Sequence, residues 1–125
     1  FDIRQITGAL PLVGVVAGHG NMRAEIFEAW VAAGARAIVH AGFGGGTVPD
    51  YLKALLPALR GRGVQVVRAA RVGDGPVIRN ANFDDDAAGS VVVDDQSPQR
   101  ARLLAALSLA RGDDAAAMQQ VFWRY

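Results

Sequence analysis

Four short apolar runs rich in valine, LVGVVA at 12–17, AIVHA at 37–41, VQVVRA at 64–69 and SVVV at 90–93, are separated by stretches whose apolar residues recur at helical spacing or by polar connections. The runs are continuous rather than alternating, so each strand needs cover on both faces. Strands that alternate with helices in this way call for right-handed crossovers and a parallel sheet between helical layers. The expected architecture is a Rossmann-like three-layer α/β/α fold, with a four-stranded parallel sheet and about four helices in the order β-α-β-α-β-loop-β-α-α. All 125 residues read as one domain, a size that allows a real core.

Local punctuation places the helices. Met22, Ile26, Phe27 and Trp30 recur at helical spacing, with Asn21 as N-cap and Gly34 as stop. Leu52, Leu55, Leu56 and Leu59 form a second helical face. Thr47 and Asp50 have the form of a capping box with Asp in place of Glu. Pro57 lies inside that helix and should kink it or split it in two, because it supplies no N–H and crowds the preceding turn. Ser97 caps a third helix with Pro98 at its first position, Leu103, Leu104 and Leu107 inward and Gly112 at its end. Asp113 caps the last, whose apolar face is Met118, Val121, Phe122 and Tyr125.

Composition removes several function classes. With 51% hydrophobic residues and a mean hydropathy of +0.18 the chain is too apolar to be disordered, yet no run is long enough to span a bilayer. Thirteen basic and twelve acidic residues are interspersed, for a net charge of +1. That balance gives no basis for a nucleic-acid or membrane partner. With no cysteine, disulfides, thiolate metal sites and a thiol nucleophile are excluded. The chain starts at Phe1 without an initiator Met and reads as a piece of something longer, its compartment open.

The stretch AGFGGGTVPD at 41–50 is the first candidate site. Its glycines miss the dinucleotide fingerprint, since Thr47 stands at the third glycine position, and no Walker lysine follows. What survives is its place after a parallel strand and before a helix, where α/β sheets bind ligands. Asp84, Asp85 and Asp86 are adjacent rather than alternately spaced, and read as a solvated turn or helix start rather than a metal loop. His19 and His40 have no metal-ligand spacing; His40 reads as a packed or hydrogen-bonded strand residue, His19 as a loop residue able to line a cleft. No metal or organic cofactor is expected. Thr7, Thr47, Ser90, Ser97 and Ser108 have no nearby base in sequence, so there is no complete catalytic set. The long connection ARVGDGPVIRNANFDDD is polar yet holds Val72, Val77, Ile78 and Phe83, the pattern of a functional or partner-facing loop.

Three ordered blocks then carry a resemblance: Val67-Arg68 through Arg71-Val72-Gly73-Asp74-Gly75-Pro76-Val77, the Asp pair that follows, and Ser97-Pro98-Gln99-Arg100-Ala101-Arg102. They resemble the VVRSSRVGSGPV and NPQKAR blocks of the carboxyl-terminal domain of bacterial type II L-asparaginases. The opening FDIRQITGALPLVGVV and closing VFWRY are similar to that domain's ends, so the likeness covers residues 1–125. The resemblance implies an amide hydrolase, in a bacterial cytoplasm or periplasm, converting asparagine or a related small amide to the acid and ammonia. It implies a threonine nucleophile in an amino-terminal domain outside this chain, and a homodimer pairing into a tetramer. In such an assembly this domain completes a neighbouring subunit's active site.

Two loops make that contribution in the family. In the glycine loop, AGVGNGN aligns with AGFGGGT, putting Thr47 at the last Asn and Gly45 at the earlier one. Before the Asp pair, the family's Glu, which holds the substrate's α-ammonium group, aligns with Asn82. By itself the chain should be inactive, having no nucleophile. The competing readings are a non-catalytic amino-acid-binding or oligomerisation module, and the related domain of an archaeal tRNA amidotransferase subunit.

Overall fold

In a computed structural model covering residues 1–125, four parallel strands, β1 (Val13–Ala17), β2 (Ala37–Gly42), β3 (Gln65–Ala70) and β4 (Val91–Val92), pair in sequential order. A sequential order has a consequence when crossovers are right-handed: every crossover helix lands on the same face. Helices α1 (Glu25–Ala32), α2 (Asp50–Gly61) and the one-turn α3 (Asp85–Ala88) make those crossovers. The other face is covered only after the last strand, by α4 (Pro98–Arg111) and α5 (Ala115–Arg124). A 3-10 turn at Ile3–Gln5 precedes the domain proper.

The strand pleat divides the core accordingly. Val16, Ile38 and Val66 point to the crossover side and pack with Phe27, Leu52, Leu56 and Leu59. Val13, Val39 and Val67 point the other way, onto Ala101, Ala105, Met118 and Phe122. His40 and Arg68 alternate with Val39 and Val67, so the same pleat sends both to the crossover side, where His40 lies against Phe27 with ring centroids 6.1 Å apart. The open edge at β4 is closed by a side chain: buried Gln119 accepts from the Val92 N–H at 2.8 Å and donates to its carbonyl at 3.0 Å. An amide thus does for the edge what another strand would. No helix is long and apolar enough to cross a membrane.

Several sequence expectations are corrected. Asn21 does not cap α1; it sits in a turn at φ 61°, and the helix begins four residues later behind Ala24 with no side-chain cap. Thr47 and Asp50 form no capping box, because α2 starts at Asp50 itself with Pro49 as its N-cap. Of the two outcomes expected at Pro57, the split does not occur: the residue lies within one continuous helix. The buried face of α4 is Ala101, Ala105, Ala106 and Ser108; of the leucines expected inward, Leu104 packs half-buried against this cluster, whereas Leu103 is largely exposed. Small residues let α4 lie close across β1, β2 and β3. Asp114 rather than Asp113 caps α5, and Tyr125 is exposed. Gly34, Ser97, Pro98 and Gly112 hold the capping and stop positions expected of them.

Candidate functional site

At the carboxyl end of β2 the chain turns sharply back on itself. Phe43 O accepts from both Gly46 N and Thr47 N at 2.9 Å. A Cβ on Gly42 would lie 2.5 Å from the Thr47 carbonyl, so only glycine allows this closure. Gly46 has φ +78°, and a Cβ there would lie 2.9 Å from Val77. These two glycines therefore fix the turn. Thr47 is left exposed and its hydroxyl caps no helix.

The second loop is built by Asn80. It adopts the left-handed region at φ 59°, which Asn tolerates. Its side-chain oxygen accepts from Asp85 N at 2.9 Å and Asp86 N at 3.2 Å, while its own N–H donates to Asp85 Oδ2 at 2.9 Å. Asp84 caps α3 through the Ala87 N–H. The Asn80 amide, with Arg79, holds the Asp86 carboxyl below the usual carboxylate range. Asn82 sits exposed on the outside of this knot.

Gly45 and Asn82 meet: a Cβ built on Gly45 would be 3.7 Å from Asn82 Nδ2. Positions separated by a whole crossover thus lie side by side, with Thr47 two residues along the same turn. Phe43 carries the Arg71 guanidinium over its ring at 4.2 Å, and Arg71 also donates to the Gly18 carbonyl at 3.2 Å. A hollow of about 650 Å³ on the other side of this edge, lined by Ala41, Arg71, Asp95 and Ser97 among others, includes none of Thr47, Gly45 or Asn82.

Beneath the two loops lies an ion pair. Arg68, 1% exposed, donates from Nη1 to Asp85 Oδ2 at 2.5 Å, from Nε to the Gly46 carbonyl at 3.1 Å and from Nη2 to the Gly45 carbonyl at 3.5 Å. Asp85, 0% exposed, also accepts from the Ser90 hydroxyl at 2.6 Å. Both carboxylate oxygens and all three guanidinium nitrogens thus have a partner, the kind of compensation a buried ion pair needs to be tolerated. The acidic run was expected to be a solvated turn or helix start; it is a helix start, but Asp85 is not solvated. The signal that could have found it was Arg68 itself, an arginine between the apolar residues Val66, Val67, Ala69 and Ala70 of a strand, a charge that is almost never fully buried unless paired.

His40, expected to be packed or hydrogen-bonded, is only packed: neither ring nitrogen has a partner. Burial pushes its pKa down to about 4, the Arg68 charge acting in the same direction. His19 lines a shallow hollow with Asn21 and Glu25, its Nδ1 donating to the Gly20 carbonyl. No three His, Asp or Glu side chains gather where they could hold a metal ion.

With this geometry in hand, the sequence model of the glutaminase/asparaginase C-terminal domain matches residues 12–122. The chain belongs to that family. Along its whole length it is 43% identical to a glutaminase-asparaginase of Acinetobacter glutaminasificans, covering 38% of that protein. It is 40% identical to a glutaminase-asparaginase of Pseudomonas aeruginosa, covering 34%, and 34% identical to L-asparaginase 2 of Escherichia coli, covering 36%. The chain therefore spans just over a third of the length of these relatives. The family and the all-parallel sheet agree with the resemblance and architecture expected from sequence.

Proposed function

We propose that residues 1–125 are the carboxyl-terminal domain of a longer amide hydrolase that converts asparagine, or a related side-chain amide such as glutamine, to the acid and ammonia. The names of the relatives, glutaminase-asparaginase and L-asparaginase, support both the reaction and the inclusion of glutamine. In the parent enzyme a threonine of the amino-terminal domain attacks the amide carbon, ammonia leaves, and water hydrolyses the acyl-enzyme. This domain supplies no group that attacks. Its part is to complete the active site of a neighbouring subunit within a homodimer or tetramer, through Thr47, Gly45 and Asn82. The reaction needs neither metal nor organic cofactor.

The observation that carries this reading is the meeting of Gly45 with Asn82 at the carboxyl end of the sheet, beside an exposed Thr47 with no capping duty. In this role the Asn82 carbonyl oxygen accepts from the substrate's α-ammonium group. A neutral amide holds that group less firmly than a carboxylate, because charge-assisted hydrogen bonds are roughly twice as strong as neutral ones. The test is Asn82→Glu in the full-length enzyme. The expected result is a KM for asparagine lowered about tenfold with little change in melting temperature, the factor that roughly 1.4 kcal/mol gives. An unchanged KM would remove Asn82 from the substrate. The purified domain alone is expected to show no turnover, and turnover free of host enzyme would defeat the division of labour.

A further inference from the structure

Resting on that reading, we propose that Arg68 is a positioning residue for substrate binding: from inside the sheet it locks the two substrate-facing loops to each other. The loops at 43–47 and 80–86 come from different crossovers and have no other ion or hydrogen bond joining them. Each is internally braced, one by the Phe43 turn and the other by Asn80. Internal bracing sets the shape of each loop and leaves the distance between them free.

That distance is set by one guanidinium. Its Nε and Nη2 hold the Gly46 and Gly45 carbonyls, on the backbone immediately before Thr47. Its Nη1 holds Asp85, three residues beyond Asn82, and Asp85 in turn accepts from the Asn80 N–H, two residues before Asn82. The Phe83 ring lies over the Arg68 Cζ at 5.6 Å, adding a further contact beside Asn82. The planar fork is what makes this possible: its donors point in fixed, divergent directions, which a lysine ammonium cannot reproduce. Because Arg68 is buried and touches only carbonyls, a carboxylate and a ring, it acts on substrate through the loops alone.

The test is Arg68→Lys in the full-length enzyme, which keeps the charge facing Asp85 and loses the fork. The expected result is a KM for asparagine raised about tenfold with kcat changed by less than about twofold, the pattern of lost binding rather than lost chemistry. In a Thr47→Ala/Asn82→Ala background the same substitution should change KM by less than about twofold, since nothing is left to position. A tenfold effect that persists in that background overturns the proposal, as does an unchanged KM in the single variant. If Asn82→Glu shifts KM while Arg68→Lys does not, the site reading stands and only the positioning role falls. If Asn82→Glu has no effect, the site reading itself falls and takes this proposal with it. Were Arg68→Lys not to accumulate as folded enzyme, hydrogen exchange on the wild type decides. Segments 43–47 and 80–86 must then open together, with protection factors within about threefold of each other, as one cooperative unit does, and unequal protection overturns the link.

Discussion

His40 and Arg68 are register partners on β2 and β3, point to the same side of the sheet and are almost equally inaccessible. Their surroundings differ completely. Arg68 has a carboxylate, two carbonyls and an aromatic ring arranged about it; His40 has Phe27 and no hydrogen bond to either nitrogen. A guanidinium stays charged wherever it is placed, so burial forces the fold to build partners for it. An imidazole has a second option: it gives up its proton and is buried neutral, at the smaller cost of an unpaired ring. Two adjacent ionisable groups thus show the two ways a sheet accommodates them, by compensation and by neutralisation.

The contrast can be broken most severely at Asp85. Asp85→Ala leaves Arg68 charged and unpaired in the core, and should lower unfolding free energy by about 3–5 kcal/mol, measured by urea denaturation. Next comes acid. The folded pKa of His40, about 4, lies below its ordinary 6.5, so the unfolded chain takes up a proton first as pH falls. Stability from this group is therefore complete above about pH 6.5, is lost between about 6.5 and 4, and changes no further below. At about 1.4 kcal/mol per pH unit the loss is about 3 kcal/mol. His40→Leu should abolish that share of the acid sensitivity; an identical pH profile in the variant would refute the neutral buried ring.

A smaller effect tests the turn that Arg68 holds. Gly46→Ala, strained at φ +78° and 2.9 Å from Val77, should cost about 1–3 kcal/mol by overpacking alone, again by urea denaturation. The smallest is His40→Leu at pH 7.5. It breaks no hydrogen bond, so unfolding free energy should move by less than about 1 kcal/mol, in contrast to the several kcal/mol expected for a buried polar group with partners. A large loss there would reveal a partner for the ring.

Much of the fold was legible because its signals are local. Each apolar run became a strand within a residue or two of its expected bounds, and Ser97–Pro98 and Gly112 delimit α4 as their chemistry requires. Local signals also misled where two neighbours could do one job. Asp113 and Asp114 can both cap, and Asp114 does, while Asp113 pairs with Ser108 and Arg111. On α4 the fully buried positions went to alanines, with Leu104 half-buried beside them and Leu103 outside, because the sheet admits a close approach that periodicity cannot show. At the candidate site, Thr47, Gly45 and Asn82 were named from family likeness, but that Asn82 lies beside Gly45 and that Thr47 caps nothing were not legible.

By itself, then, the sequence determined the alternation of strand and helix, the parallel sheet, most helix ends and the family. These follow from periodicity, caps and ordered blocks, all properties of neighbouring residues. The tertiary structure alone decided that Arg68 meets Asp85 across 17 residues and that two loops share one guanidinium. It also decided that His40 is left without a partner. The fate of a buried charge depends on which distant segments the crossovers bring within 3 Å or so of it, the reach of a hydrogen bond, and no local pattern encodes that distance.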